Sequence, residues 1–122
     1  MKRILVVDDS KVITDLTKLI LEKSGYECVA ANSADKCLDL LDKEKFDLVL
    51  LDIAMPGISG LDVLASIGKE EKRKGIKAVL FTASSPTERE LEDYRAKGAI
   101  GIIKKPIARE SLIKQVEKYL TL

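Results

Sequence analysis

Asp8-Asp9, Asp52, Thr82 and Lys105 stand at or just beyond the ends of four short apolar runs, Ile4–Val7, Leu48–Leu51, Ala78–Phe81 and Ala99–Ile103. Carboxylates brought together are costly to ionise, because each raises the pKa of the others. A hard divalent cation relieves that cost, and oxygen donors suit Mg²⁺, which keeps several of its waters. An ion held by few protein oxygens leaves room for phosphate oxygens. A lysine ammonium is a mobile point charge for a phosphoryl oxygen, and a threonine hydroxyl is a further donor. Phosphoryl transfer asks mainly for such placement and charge neutralisation. A carboxylate can itself be the acceptor and form an acyl phosphate.

The elements that must position these residues alternate along the chain. After Ile4–Val7, the residues Val12, Ile13, Leu16, Leu19 and Ile20 recur at helical spacing, and Gly25 is placed to end that helix. Tyr26–Ala31 reads as a second strand, ending blandly in Ala30-Ala31-Asn32. Ser33 can cap a helix with Cys37, Leu38 and Leu41 on its inner face. Leu48–Leu51 is wholly apolar, as a strand covered on both faces should be. A turn from Met55-Pro56-Gly57 to Gly60 leads to a helix with Leu61, Leu64 and Ile67 inward. Ser85-Pro86-Thr87-Glu88 combines a capping serine, a first-turn proline and a glutamate, which predicts a helix starting there and stopping at Gly98. After Ala99–Ile103 and Lys104-Lys105-Pro106, a last helix turns Leu112, Ile113, Val116 and Leu120 inward. Strand and helix alternate about five times, which predicts an α/β fold: a doubly wound, five-stranded parallel sheet in three layers. In such sheets ligands bind outside the carboxyl ends of the strands. If the first, third, fourth and fifth strands are neighbours, the acids, the hydroxyl and the ammonium share one crevice.

Composition narrows the classes. The chain has 122 residues, 46% apolar and 34% charged, with a net charge of +1. That is globular rather than disordered, expected as one domain over residues 1–122, and it points neither to nucleic acid nor to an anionic membrane. The run Lys69-Glu70-Glu71-Lys72-Arg73-Lys74 mixes signs and reads as a solvated helix end. Cys28 and Cys37 make neither a metal spacing nor a disulfide framework, and the chain has no histidine. The N-terminal apolar run is too short for a signal peptide, and no stretch reaches the roughly 18 apolar residues of a membrane helix. A cytoplasmic protein without a separate output module is expected.

Each site residue has a plainer reading. Asp8, Asp9 and Ser10 could cap the first helix, Asp52 could sit in a loop, Thr82 could be an ordinary strand-end threonine, and Lys105 a surface lysine. Met55 reads as packing. The acids, the threonine and the lysine at the same end of different strands are a different matter when taken together, since only one of two adjacent aspartates can cap and a charge abutting a buried run needs a partner.

Asp8-Asp9 after the first strand, Asp52 with Met55-Pro56 and Gly60, Thr82-Ala83, and Lys105-Pro106 occur in an order that resembles the receiver domain of two-component response regulators, in particular the chemotaxis-type single-domain receiver. The resemblance covers essentially the whole length. It implies a flavodoxin-like sheet of strand order 2-1-3-4-5 with about five helices. It further implies that Asp52 is the phosphoacceptor, receiving phosphate from a sensor histidine kinase or a histidine phosphotransfer protein. Asp9, Asp52 and the backbone carbonyl of Ala54 would contact Mg²⁺, with Asp8 acting through a metal-bound water. Lys105 would hold a phosphoryl oxygen, its peptide bond to Pro106 being cis, and backbone N–H groups near Ala54 and Ala83 would donate to the phosphoryl group. Thr82 would move toward the phosphate and reshape the face of the fourth helix, fifth strand and fifth helix, for a downstream protein target. Such a domain catalyses only its own phosphorylation and dephosphorylation. Two positions depart from the pattern: Ile102 stands where an aromatic switch residue is common, and Ala54 offers no side chain to tune water attack. Ser84 is then expected to set the phosphate lifetime.

Rival readings are weaker. A metal-dependent phosphohydrolase needs a second acid soon after its nucleophile, whereas Asp52 is followed by Ile53-Ala54-Met55-Pro56. A nucleotide- or flavin-binding module lacks its Gly-rich loop, since Asp8-Asp9-Ser10-Lys11 occupies that place. An inert receiver-like scaffold would have no use for the intact acidic set.

Overall fold

The apolar runs must bury two faces at once, and alternate residues along a strand point to opposite sides. In the computed structural model, the chain order is β1 (Arg3–Val7), α1 (Lys11–Lys23), β2 (Glu27–Ala31), α2 (Ala34–Lys43), β3 (Leu48–Leu51), α3 (Gly60–Lys69), β4 (Lys77–Thr82), α4 (Glu88–Ala96), β5 (Ala99–Lys104) and α5 (Arg109–Leu120). The structure describes residues 1–55, 59–70, 73, 75–105 and 108–122. The turn expected at Pro56-Gly57-Ile58, the cis peptide expected at Pro106, and Glu71, Lys72 and Lys74 of the basic run lie outside the described residues.

The strands pair in parallel in the order β2-β1-β3-β4-β5. Ile4 and Val6, Leu48 and Leu50, and Val79 and Phe81 enter one core, closed by Leu21 of α1 and by Leu112, Val116 and Tyr119 of α5. Leu5 and Val7, Val49 and Leu51, and Ala78 and Leu80 enter the other, closed by Cys37 and Leu41 of α2, Val63, Leu64 and Ile67 of α3, and Tyr94 of α4. All four residues of β3 are fully buried, each such Leu or Val contributing about 1.5–3 kcal/mol of transfer free energy. Gly25 and Gly98 have φ of 93° and 111° just after α1 and α4, the left-handed stop that glycine permits most easily. Cys28 and Cys37 are free and buried, and burial pushes each thiol up to about 12. Arg73, in the run expected to be a solvated end, is instead buried, its guanidinium donating to both oxygens of Asp42 at 2.8 and 2.9 Å. That fork ties α2 to the connection before β4.

One local expectation is corrected. The fourth helix starts at Glu88 with Thr87 as its N-cap, not at Ser85-Pro86. Thr87 and Glu90 form their own reciprocal box, Glu90 N–H donating to Thr87 Oγ1 at 3.2 Å and Thr87 N–H to the Glu90 carboxylate at 3.0 Å. Two overlapping capping sequences competed, and Ser85 instead meets the Lys104 ammonium. In α1 the apolar stripe Val12, Leu16 and Leu19 faces solvent, at 75%, 54% and 50% exposure, while Thr14, Thr17 and Leu21 are buried.

At the β3 tip, Gly60 opens α3 against the backbone of Asp52 and Ile53, where an added Cβ would stand 2.8 Å from the Ile53 Cα and closer still to the Asp52 carbonyl oxygen. Gly60→Ala is therefore expected to lower stability by about 1–3 kcal/mol, despite alanine's better helix propensity. Urea unfolding checks this; an unchanged or raised midpoint would show that α3 does not press on the acidic tip.

Candidate functional site

Register sets the tips level. Beyond the paired ends of the strands, the Asp8 N–H donates to the Ala31 carbonyl at 3.1 Å, Asp52 N–H to Val7 at 3.0 Å, and Lys105 N–H to Thr82 at 2.8 Å. The ladder thus runs on into the first residue of each loop and holds its backbone rigidly.

Ser10 is the N-cap of α1, its hydroxyl accepting from Ile13 N–H. The capping role is filled, so the two aspartates before it do not serve it. Asp8 Oδ1 accepts from Ser10 N–H at 2.9 Å, and its Oδ2 accepts from the Lys105 ammonium. The same ammonium lies 3.6 Å from Asp52 Oδ2 and 4.9 Å from the centre of the Phe81 ring, a face that attracts cations. Asp52 Oδ1 accepts from Ala54 N–H at 3.1 Å. Asp8 and Asp52 are buried and Asp9 is exposed; one carboxylate oxygen from each of the three lies within 4.8 Å of the others.

Burial pushes the Asp52 carboxyl above its usual range. The Ala54 N–H and the Lys105 charge pull it back, and the negative charges of Asp8 and Asp9 push it up again. Three converging oxygens of the hard carboxylate type fit Mg²⁺ in number and chemistry.

Asp8, Asp9, Asp52 and Lys105 are therefore brought together. Thr82 is buried on the neighbouring tip, but its hydroxyl pairs with Ser84 Oγ at 2.8 Å. Ala54 and Ala83 are exposed beside the acids and the threonine. Ile102 is half-buried against the core that includes Leu80 and Tyr94. Two contributors escaped the sequence reading. Asn32, at the tip judged bland, donates its amide to the Asp8 carbonyl at 2.9 Å and to Thr14 Oγ1 at 3.0 Å, anchoring the acidic loop to α1. Phe81 floors the lysine. An asparagine at the same sheet end as two aspartates was the available signal for the first, since its amide is a natural donor to a loop carbonyl.

Residues 4–117 match the response regulator receiver domain model. The chain is 32% identical over 119 residues to the polar-differentiation response regulator DivK of Brucella ovis, covering 98% of this chain and 96% of that protein. It is 34% identical over 120 residues to the CAI-1 autoinducer sensor kinase/phosphatase CqsS of Vibrio cholerae, covering 98% of this chain but spanning only 17% of that protein's length. The response regulator protein TrrA of Thermotoga maritima, solved in complex with Mg(2+)-BeF, superposes with a TM-score of 0.85 at 39% identity, covering 98% of this chain and 99% of that one. Strand order, acidic tips and sequence likeness lead to one conclusion: the chain belongs to the response regulator receiver family, whose members accept a phosphoryl group and signal by changing conformation in two-component systems.

Proposed function

We propose that Asp52 is the phosphoacceptor, that Asp8, Asp9, Asp52 and the Ala54 carbonyl hold Mg²⁺, and that Lys105, Thr82 and the Ala54 and Ala83 N–H groups bind the phosphoryl oxygens. The observation that carries the reading is the meeting of three carboxylates with one ammonium at the level tips of the sheet. An Asp52 oxygen attacks the phosphorus of a donor phosphohistidine; the new O–P bond forms as the P–N bond breaks and the imidazole leaves with its electron pair. When bound, Mg²⁺ supplies charge neutralisation for the acids and the transferred group. Lys105, released from Asp8, follows the new negative charge. Asn32 keeps the Asp8 loop in place, and Ala54 N–H, now on the Asp52 carboxylate, is positioned to donate to the group it acquires. With Ile102 half-buried against the core in place of an aromatic, Thr82 is coupled to the α4–β5–α5 face through the loop after β4. The domain then catalyses only its own phosphorylation and dephosphorylation, in the cytoplasm, and hands its state to a protein target. Among the described residues no helix is long and apolar enough to cross a membrane.

The exposed Val12, Leu16 and Leu19 lie on the helix that begins beside Asp8-Asp9. An apolar stripe so near the acceptor suits docking of a histidine kinase or phosphotransfer helix.

With acetyl phosphate and Mg²⁺, intact mass should show one added phosphate on the wild type and none on Asp52→Asn. Addition that survives in Asp52→Asn, or that proceeds without a divalent ion, moves the acceptor or the mechanism. Leu16→Glu should slow transfer from a phosphohistidine donor by about tenfold yet leave labelling by acetyl phosphate unchanged; equal loss with both donors would mean the helix itself is damaged.

Burial also gives Asp52 a stability signature. Its folded-state pKa is raised above the unfolded value, so its ionisation opposes folding as pH rises through the ordinary carboxylate range toward the folded pKa. Without divalent ions, Asp52→Asn is expected to raise the melting temperature at neutral pH. The gain should shrink as pH falls below the usual carboxylate value, where Asp52 is protonated in both states. A melting temperature lowered at neutral pH would mean that Lys105 more than offsets the burial.

A further inference from the structure

The Thr82 hydroxyl is already occupied. It lies 2.8 Å from Ser84 Oγ, and it also accepts from the Ser84 backbone N–H at 3.3 Å. Thr82 is buried, whereas Ser84 is exposed on the loop between β4 and α4. A second hydroxyl of that loop, Ser85 Oγ, meets the Lys104 ammonium on the neighbouring strand. Lys105 N–H in turn donates to the Thr82 carbonyl, so the Thr82 backbone is fixed and its side chain is the part free to move.

A threonine hydroxyl has one proton to give. Phosphoryl oxygens are acceptors, so binding one commits that proton and turns the side chain toward Asp52. Whichever hydroxyl donates in the Thr82–Ser84 pair, that turn breaks the pair.

We propose that Ser84 is a positioning residue for the phosphoryl site: its hydroxyl holds Thr82 in the resting rotamer and competes with the phosphoryl group for it. The inference rests on Asp52 being the acceptor and goes beyond it by naming what opposes the switch. It also relocates the influence expected of Ser84. The side chain bonds to Thr82, so its first effect is on the balance between resting and phosphoryl-bound states, upstream of any effect on water attack. The Ser84 N–H bond is independent of the side chain, so Ser84→Ala removes the competing hydroxyl and keeps the loop's backbone contact.

Beryllofluoride with Mg²⁺, a non-hydrolysing mimic of an aspartyl phosphate, is the probe. Its dissociation constant, and that of Mg²⁺ alone, are measured on the full chain for wild type, Ser84→Ala and Ser84→Thr. Loss of one competing hydrogen bond should tighten beryllofluoride binding about threefold to tenfold in Ser84→Ala, with Mg²⁺ binding unchanged. Ser84→Thr, which keeps a hydroxyl, should follow the wild type. Unchanged or weaker beryllofluoride binding in Ser84→Ala overturns the proposal, as does a Ser84→Thr variant that behaves like Ser84→Ala. Should the wild type fail to bind beryllofluoride, or Asp52→Asn bind it equally well, the acceptor assignment itself falls and takes the inference with it.

Discussion

The structure turns on one ammonium among three carboxylates. Like charges whose oxygens lie within 4.8 Å of one another repel by on the order of 3 kcal/mol per pair at an effective dielectric of about 20. Lys105, in contact with Asp8 and 3.6 Å from Asp52, offsets a comparable amount but leaves an excess of two negative charges. On the proposed reading, a divalent cation would neutralise that excess and leave the lysine free for an incoming anion. The cluster is thus tolerable at rest and, on that reading, would be better satisfied with both a cation and a phosphoryl group.

Nothing in the loops alone would hold such a cluster together. It persists because β1, β3, β4 and β5 are parallel neighbours whose ladder continues past the last apolar residue. A register slip of one residue would reverse every side chain on a strand. The twofold alternation of Ile4 to Val7, Leu48 to Leu51 and Ala78 to Phe81 between two dry cores forbids that slip. Packing far from the site therefore fixes the separation of its charges. Gly60 adds the last constraint by letting α3 abut the Asp52 backbone.

Much of this was legible in the residues. Wholly apolar β3 read as a strand covered on both faces, and the polar residues at the ends of the first, third, fourth and fifth runs would share one crevice if those strands were neighbours, which the order β2-β1-β3-β4-β5 makes them. What stayed hidden was set by competition between near-equal local choices. Ser85-Pro86-Thr87-Glu88 and Thr87-Glu88-Arg89-Glu90 both fit a capping box, and the second prevailed because its reciprocal bonds form while Ser85 turns to Lys104. The spacing of Val12, Leu16 and Leu19 announces a helix but not which face is covered; the buried residues of α1 are Thr14, Thr17 and Leu21. Asn32 and Ser84 act through single hydrogen bonds across loops, and such bonds leave no periodic trace.

The most direct test is a calorimetric Mg²⁺ titration of the unphosphorylated protein, wild type beside Asp9→Asn. Asp9 is exposed and outside the packed core, so its loss alters charge without disturbing the fold. One ion per wild-type chain, with affinity reduced about tenfold or more in Asp9→Asn, is the result the account predicts. A wild type that binds no ion, or a variant that binds it as tightly, would contradict the claim that uncompensated charge at these strand tips is what the domain is built around.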